Sequence, residues 1–280
     1  MKKSFYCFGV AMAALAMASS CGNGGKSDAD NRITNFEVKQ AIKTADKNYK
    51  VVTDYGTVYL DLYTSIHWPE QLGDANLKVL QDSLLYFAYG DTAMNGSVDD
   101  AIVAFINDTA MVGGASEITP VDSMPEAGDN MPAYFNNVTA TVLDMNEEMV
   151  TYQVTASSYF GGAHPDTYIR PFTFDMRSGK VLDVDNMFKQ EARDSIVPLI
   201  VGALARQLDV APANLDRAGI FTSQLTYPGA PYVANNMLYF HYNPYEIAPY
   251  SAGMIDVVVY PYEVESMLTP EARSLFDIGY

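Results

Sequence analysis

Cysteine is nearly missing from this 280-residue chain, which contains two, Cys7 and Cys21. Two thiols so close to the start cannot form the disulfide framework of a small exported domain, and they leave the bulk of the chain without a thiol nucleophile. Histidine is scarce too. His67, His164 and His241 are the three, and no two are spaced as in His-x-x-x-His or His-Glu-x-x-His, so no histidine metal site is expected. Basic residues are outnumbered, 17 against 34 acidic, for a formal net charge of -17. Such a chain repels polyanions, which excludes nucleic acid and anionic lipid surfaces as partners and favours a cationic one. There is no Gly-x-Ser-x-Gly elbow, Walker loop or dinucleotide fingerprint. Carboxylates abound, but none is picked out as a glycosidase pair. The expectation is a protein without cofactor, metal or catalytic residues.

The N-terminus carries the clearest positive signal. Met1-Lys2-Lys3 is basic, Phe5 to Ala18 is uncharged, and Ala18-Ser19-Ser20-Cys21 follows. A basic start, a short apolar run and small residues before a cleavage point mark an export signal, and the run falls short of the roughly 20 residues a membrane span needs. Cys21 at the cleavage point resembles a bacterial lipobox, in which the new N-terminal cysteine is acylated. Residues 1–20 are then a lipoprotein signal, Cys21 is the lipidation site, and the protein hangs from a membrane in the cell envelope. Gly22 in place of aspartate favours the outer membrane. Removing Lys2 and Lys3 leaves 15 basic residues against 34 acidic, a net charge of -19.

Residues 21–43 read as a small, polar, flexible tether. An N-terminal α+β domain is expected over 44–144. Val58, Leu60 and Leu62 alternate as in a strand, and Leu77, Leu80, Leu84 and Phe87 follow helical spacing, with Asp74 or Asn76 as cap and Gly90 as stop. A second helix starts at Ser97, with Asp100 three residues on. Met111 to Pro132 reads as a long surface loop. Residues 145–280 form the second domain. It opens on a hairpin of Tyr134–Met145 and Met149–Phe160, followed by a strand pair, Tyr168–Asp175 and Lys180–Val184. A helix carries Ile196, Leu199, Ile200, Ala203 and Leu204. Two late strands follow, Met237–Tyr242 and Met254–Tyr262. Strand pairs joined by short turns, with single helices between, give an α+β fold of antiparallel sheet packed by a few helices.

Two segments stand out as binding candidates. Tyr159-Phe160-Gly161-Gly162-Ala163-His164-Pro165 sets paired glycines after a strand. It is either a strand exit or a loop presenting Tyr159, Gly161, Gly162, His164 and Pro165 to a ligand. Asn243-Pro244-Tyr245-Glu246-Ile247-Ala248-Pro249-Tyr250 is a rigid aromatic loop. It is either packed internally or a recognition surface of Tyr245, Glu246, Pro249 and Tyr250.

Tyr159 through Pro165, Phe174 through Leu182, Asp185-Asn186-Met187-Phe188, Pro244 through Gly253 and Ile255 through Tyr262 occur in that order, and together they resemble the signature of the RsiV-like domain. That domain, a family of unknown function, forms the extracellular part of lysozyme-sensing anti-sigma factors and accompanies the catalytic domain of PdaC-type peptidoglycan deacetylases. The resemblance covers about residues 150–270. It implies a cell-envelope binding domain, with lysozyme or peptidoglycan as candidate ligand. The sigma-binding segment and transmembrane helix of such regulators are not seen. The deacetylase motif is only echoed by Thr173-Phe174-Asp175-Met176, without its second aspartate. Three readings stay open: a module binding a cationic protein such as lysozyme, a module binding peptidoglycan or another glycan, and a hydrolase using a carboxylate with His164.

Overall fold

The computed structural model describes residues 36–124 and 133–277; Cys7, Cys21 and the proposed signal lie outside them. Among the described residues, two sheets and six α-helices make up an α+β fold. The larger sheet has seven strands in the order β3-β1-β2-β4-β5-β6-β7, and the smaller has three in the order β10-β9-β8.

The chain opens on a long antiparallel hairpin, β1 (Val38–Thr53) and β2 (Gly56–Leu72). β1 therefore starts inside the stretch expected to be tether. Its inner face carries Lys43 and Lys47 where a strand pattern would show β-branched residues. Their heads reach Asp99 Oδ1 at 3.0 Å and Asn107 Oδ1 at 2.5 Å, so lysine stems cover the sheet while their ends stay polar.

Helix α1 (Lys78–Tyr89) has Asn76 Oδ1 accepting the Lys78 N–H at 3.1 Å and ends at Gly90, φ +85°. Helix α2 (Val98–Asn107) starts at Ser97, whose hydroxyl accepts the Asp100 N–H. Both follow the spacing of their apolar residues, and both pack on one face of the large sheet. The expected surface loop after α2 holds an edge strand, β3 (Ala115–Val121), antiparallel to β1.

The chain then returns to pair β4 (Ala133–Met145) in parallel with β2, within a mostly antiparallel sheet. A parallel neighbour needs a long crossover, and α1 and α2 supply it. β4 turns through Asn146-Glu147-Glu148 into antiparallel β5 (Met149–Tyr159), so the 144/145 boundary falls within one hairpin. β6 (Asp166–Asp175) and the two-residue β7 (Lys180–Val181) complete the sheet.

After a short helix, α3 (Val184–Met187), comes α4 (Ile196–Gln207). It packs with β8 (Ala230–Ala234), β9 (Met237–Tyr242) and β10 (Ile255–Val259) around a core that includes Val233, Leu238, Phe240 and Val257. β8 and β9 are joined by Asn235-Asn236, both at positive φ, as a tight hairpin requires. The last expected strand is shorter than 254–262, because Pro261 opens a helix, α5 (Pro261–Val264), where its fixed φ suits the first turn. Thr269 caps α6 (Pro270–Arg273). Among the described residues, no helix is long and apolar enough to cross a membrane.

The two sheets meet through a ring of hydrogen bonds. Val233 N–H donates to Thr173 Oγ1 at 2.8 Å, and Thr151 Oγ1 donates to Val233 O at 2.5 Å. The two hydroxyls lie 2.7 Å apart. Both threonines are fully buried, so the free edge of β8 finds its partners on the face of the larger sheet.

Candidate functional site

The two loops singled out in the sequence come from different sheets and meet. The first joins β5 to β6. Gly161 and Gly162 have φ of +95° and +114°, conformations that side-chain-bearing residues rarely adopt. Tyr159 Oη donates to Gly162 O at 3.0 Å and closes the loop on itself. The tightened loop carries His164 and Pro165 across toward the smaller sheet.

The second loop joins β9 to β10 and is pinned at its base by Asn243, which is 8% exposed. Asn243 Oδ1 accepts the Ile169 N–H at 2.7 Å, and Nδ2 donates to Ile169 O at 3.1 Å. One amide thus satisfies both backbone groups of a residue on the open edge of β6. Asn243 N–H donates to Glu246 Oε2 at 2.8 Å, and Tyr245 N–H donates to Ala248 O at 3.0 Å. Those bonds hold Tyr245 at φ +69°, an uncommon conformation for a bulky residue. Buried Ile247 and Ala248 root the loop in the core below.

At the rim, the ring of His164 stacks on that of Tyr250, with centroids 3.8 Å apart and planes 20° apart. His164 Nδ1 lies 2.9 Å from Pro165 O, and Tyr250 Oη donates to the same carbonyl at 2.9 Å. Tyr245 Oη lies 3.4 Å from His164 Nε2. With Nδ1 donating to the carbonyl, Nε2 is left to accept from the tyrosine. Both ring nitrogens have a polar neighbour, an arrangement that orients the ring. Tyr245 is 57% exposed and sits 5.7 Å from Tyr250, centroid to centroid.

Of the nine sequence-derived binding residues, His164, Pro165, Tyr245 and Tyr250 come together directly. Gly161, Gly162 and Pro249 are exposed beside them. Glu246 turns its carboxylate to the backbone of its own loop. Tyr159 packs toward Tyr134 and Phe135 rather than toward the rim. Asn243 escaped sequence reasoning, because its two bonds span 74 residues. Among the described residues, no group of three or more His, Cys, Asp or Glu is arranged to hold a metal.

Residues 185–263 match the family described as "Protein of unknown function (DUF3298)". Among solved structures, the chain is similar to a member of that family from Bacteroides fragilis NCTC 9343, with a TM-score of 0.65 and 15% identity, covering 85% of this chain and 96% of the other. It is also similar to a DUF3298 family protein from Pseudomonas aeruginosa PAO1, with a TM-score of 0.56 and 15% identity, covering 86% and 98%. At such identity the likeness is one of fold. Comparison with curated proteins gives no match.

Proposed function

We propose that this protein is a non-catalytic, lipid-anchored module of the cell envelope, held in the outer membrane through Cys21. Its rim of His164, Tyr245 and Tyr250 binds a cationic protein partner of the lysozyme kind, in keeping with the RsiV-like resemblance. The observation that carries this reading is the stacked His164–Tyr250 pair with Tyr245 exposed above it. A rigid aromatic rim loses little entropy on binding, and tyrosine combines apolar area with a hydroxyl. The net charge of -17 would speed encounter with a basic partner.

The test is binding of the purified full chain to a cationic lysozyme across a salt series, with Cys21→Ser as the control that removes the acylation site. Affinity should fall steeply with salt, and Tyr245→Ala should raise the off-rate, weakening binding about thirtyfold if Tyr245 is a true anchor. Unchanged affinity in a folded Tyr245→Ala protein would remove the rim from the interface. Absence of lysozyme binding even at low salt would favour the second reading, a peptidoglycan or other glycan ligand.

A further inference from the structure

Four side-chain atoms among the described residues are buried without a hydrogen-bond partner: Asn48 Oδ1, Asn137 Oδ1, Arg170 Nε and His241 Nε2. Such atoms are costly to leave unpaired and call for a partner. Arg170 and His241 both line one cleft of about 420 Å³. It runs beside the edge of β6 that β5 does not cover and β7 reaches only at Phe174 and Asp175. A second cleft, of about 530 Å³, shares Tyr168 and Arg170 with the first and continues to Tyr86 and Asp91.

His241 lies on β9, opposite Asp256 of β10 and Ala230 of β8. It is 3% exposed, with Nδ1 2.8 Å from Asp256 Oδ1. The carboxylate accepts the Nδ1 hydrogen, which fixes the ring and leaves Nε2, on its other side, without a partner. The fit at this wall is close: a Cβ on Gly229 would stand 2.2 Å from the His241 carbonyl oxygen.

Arg170 is the complementary element. Its guanidinium carbon stands 5.1 Å from the centre of the Phe87 ring. Among the described residues no carboxylate pairs with it, whereas Arg177, Arg193, Arg206 and Arg273 each have one. In a chain with 34 acidic side chains, an unpaired guanidinium backed by an aromatic ring is a fork left open to a planar oxyanion.

We propose that this groove binds an acidic sugar. The guanidinium of Arg170 takes the carboxylate, His241 Nε2 hydrogen-bonds a hydroxyl, which can give or take the hydrogen, and the half-exposed rings of Tyr168 and Tyr227 pack against the sugar faces. Three further carboxylates line the cleft, each with one bond already made: Asp183 to the Asn186 N–H, Asp185 to Arg193, and Glu246 to the Asn243 N–H. Their remaining lone pairs accept hydroxyl hydrogens. They also repel a bare inorganic anion, which brings no hydrogen to them. A ligand with one carboxylate on a hydroxyl-rich scaffold satisfies all of these groups at once. The site is distinct from the tyrosine rim, sharing the base of the 243–253 loop but neither Tyr245 nor Tyr250.

The experiment is calorimetric titration of the full chain with a glucuronic-acid-containing tetrasaccharide and with its carboxyl-reduced, neutral counterpart. The acidic form should bind about tenfold or more tightly than the neutral one. Arg170→Gln should erase that preference, and Arg170→Lys should restore only part of it. Should Arg170→Gln fail to fold, Tyr168→Ala, on an exposed ring, is expected to weaken both sugars alike. Equal affinity for the two sugars, no binding of either at millimolar concentration, or a preference that survives in folded Arg170→Gln would overturn the proposal. So would an acidic peptide that binds as tightly with the same dependence on Arg170.

Discussion

Asn243 does for the open edge of β6 what a neighbouring strand would do, offering one acceptor and one donor to the two backbone groups of Ile169. Asn243→Ala removes both bonds in a buried place and should cost about 1–3 kcal/mol. The expected result is a lower denaturation midpoint together with faster hydrogen exchange at the Ile169 amide. A protected Ile169 amide in the variant would show that the loop is held by other means. The contrast with the rest of the rim explains what sequence could reveal. Gly161-Gly162 and the proline-tyrosine loop declared themselves by composition, because a backbone at positive φ and a rigid aromatic loop each demand particular residue types. Asn243 is an ordinary residue whose role comes from a partner 74 positions away. His241 is equally silent, since neither its burial nor the missing partner of its Nε2 leaves a mark on the residues around it.

At the level of elements, legibility followed how each strand or helix satisfies its two faces. α1 and α2 repeat apolar residues at helical spacing and carry their own start and stop residues, so each could be placed from sequence alone. The β4–β5 hairpin, rich in Thr, Val and Tyr around a short polar turn, showed the same clarity. β1 did not, because lysine stems and alanines occupy its inner face. β3 is an edge strand in a stretch rich in glycine and proline. β8 contains Pro231, tolerated because the strand lies at the edge of its sheet; Asn235-Asn236 was the turn signal that could have revealed it. The outer face of β2 supports a prediction of its own. Asp61 stands opposite Asn48 there, and burial, then the charge of Asp46, raises its pKa above the ordinary aspartate value. The folded state thus holds this proton more tightly than the unfolded chain. The resulting stability is present below the ordinary aspartate range and is lost as pH rises through the raised value. Asp61→Asn, which keeps the shape and removes the charge, should therefore raise the melting temperature at neutral pH, with the gain shrinking in acid. An equal gain at both pH values would exclude titration of Asp61 as the cause.

Across the whole molecule, the rim exists only because two sheets are held in one relation: residues 160–165 leave the larger sheet and 243–254 the smaller. The joint between them is the ring of Thr151, Thr173 and Val233, in which Thr173 accepts the Val233 N–H, its hydroxyl faces that of Thr151, and Thr151 donates to the Val233 carbonyl. Valine matches threonine in shape but lacks the hydroxyl, so Thr173→Val orphans the buried N–H and Thr151→Val orphans the buried carbonyl. Each should cost about 1–3 kcal/mol. Because both hydroxyls belong to one closed set, losing the first already breaks the circuit that gives the second its value. The double variant should then fall short of the sum of the singles in a denaturant-based mutant cycle. Strict additivity would mean that the threonines act as two separate bonds. The same variants reach the rim without touching it: a loosened joint lets the loops drift apart, so His164 and Tyr250 should lose their fixed stacking. That loss is readable as averaging of the ring-current shifts that Tyr250 imposes on the His164 ring protons. Retention of those shifts in a destabilised Thr173→Val protein would show that the contacts within the rim, with Asn243 on Ile169, suffice to hold the loops together without the joint.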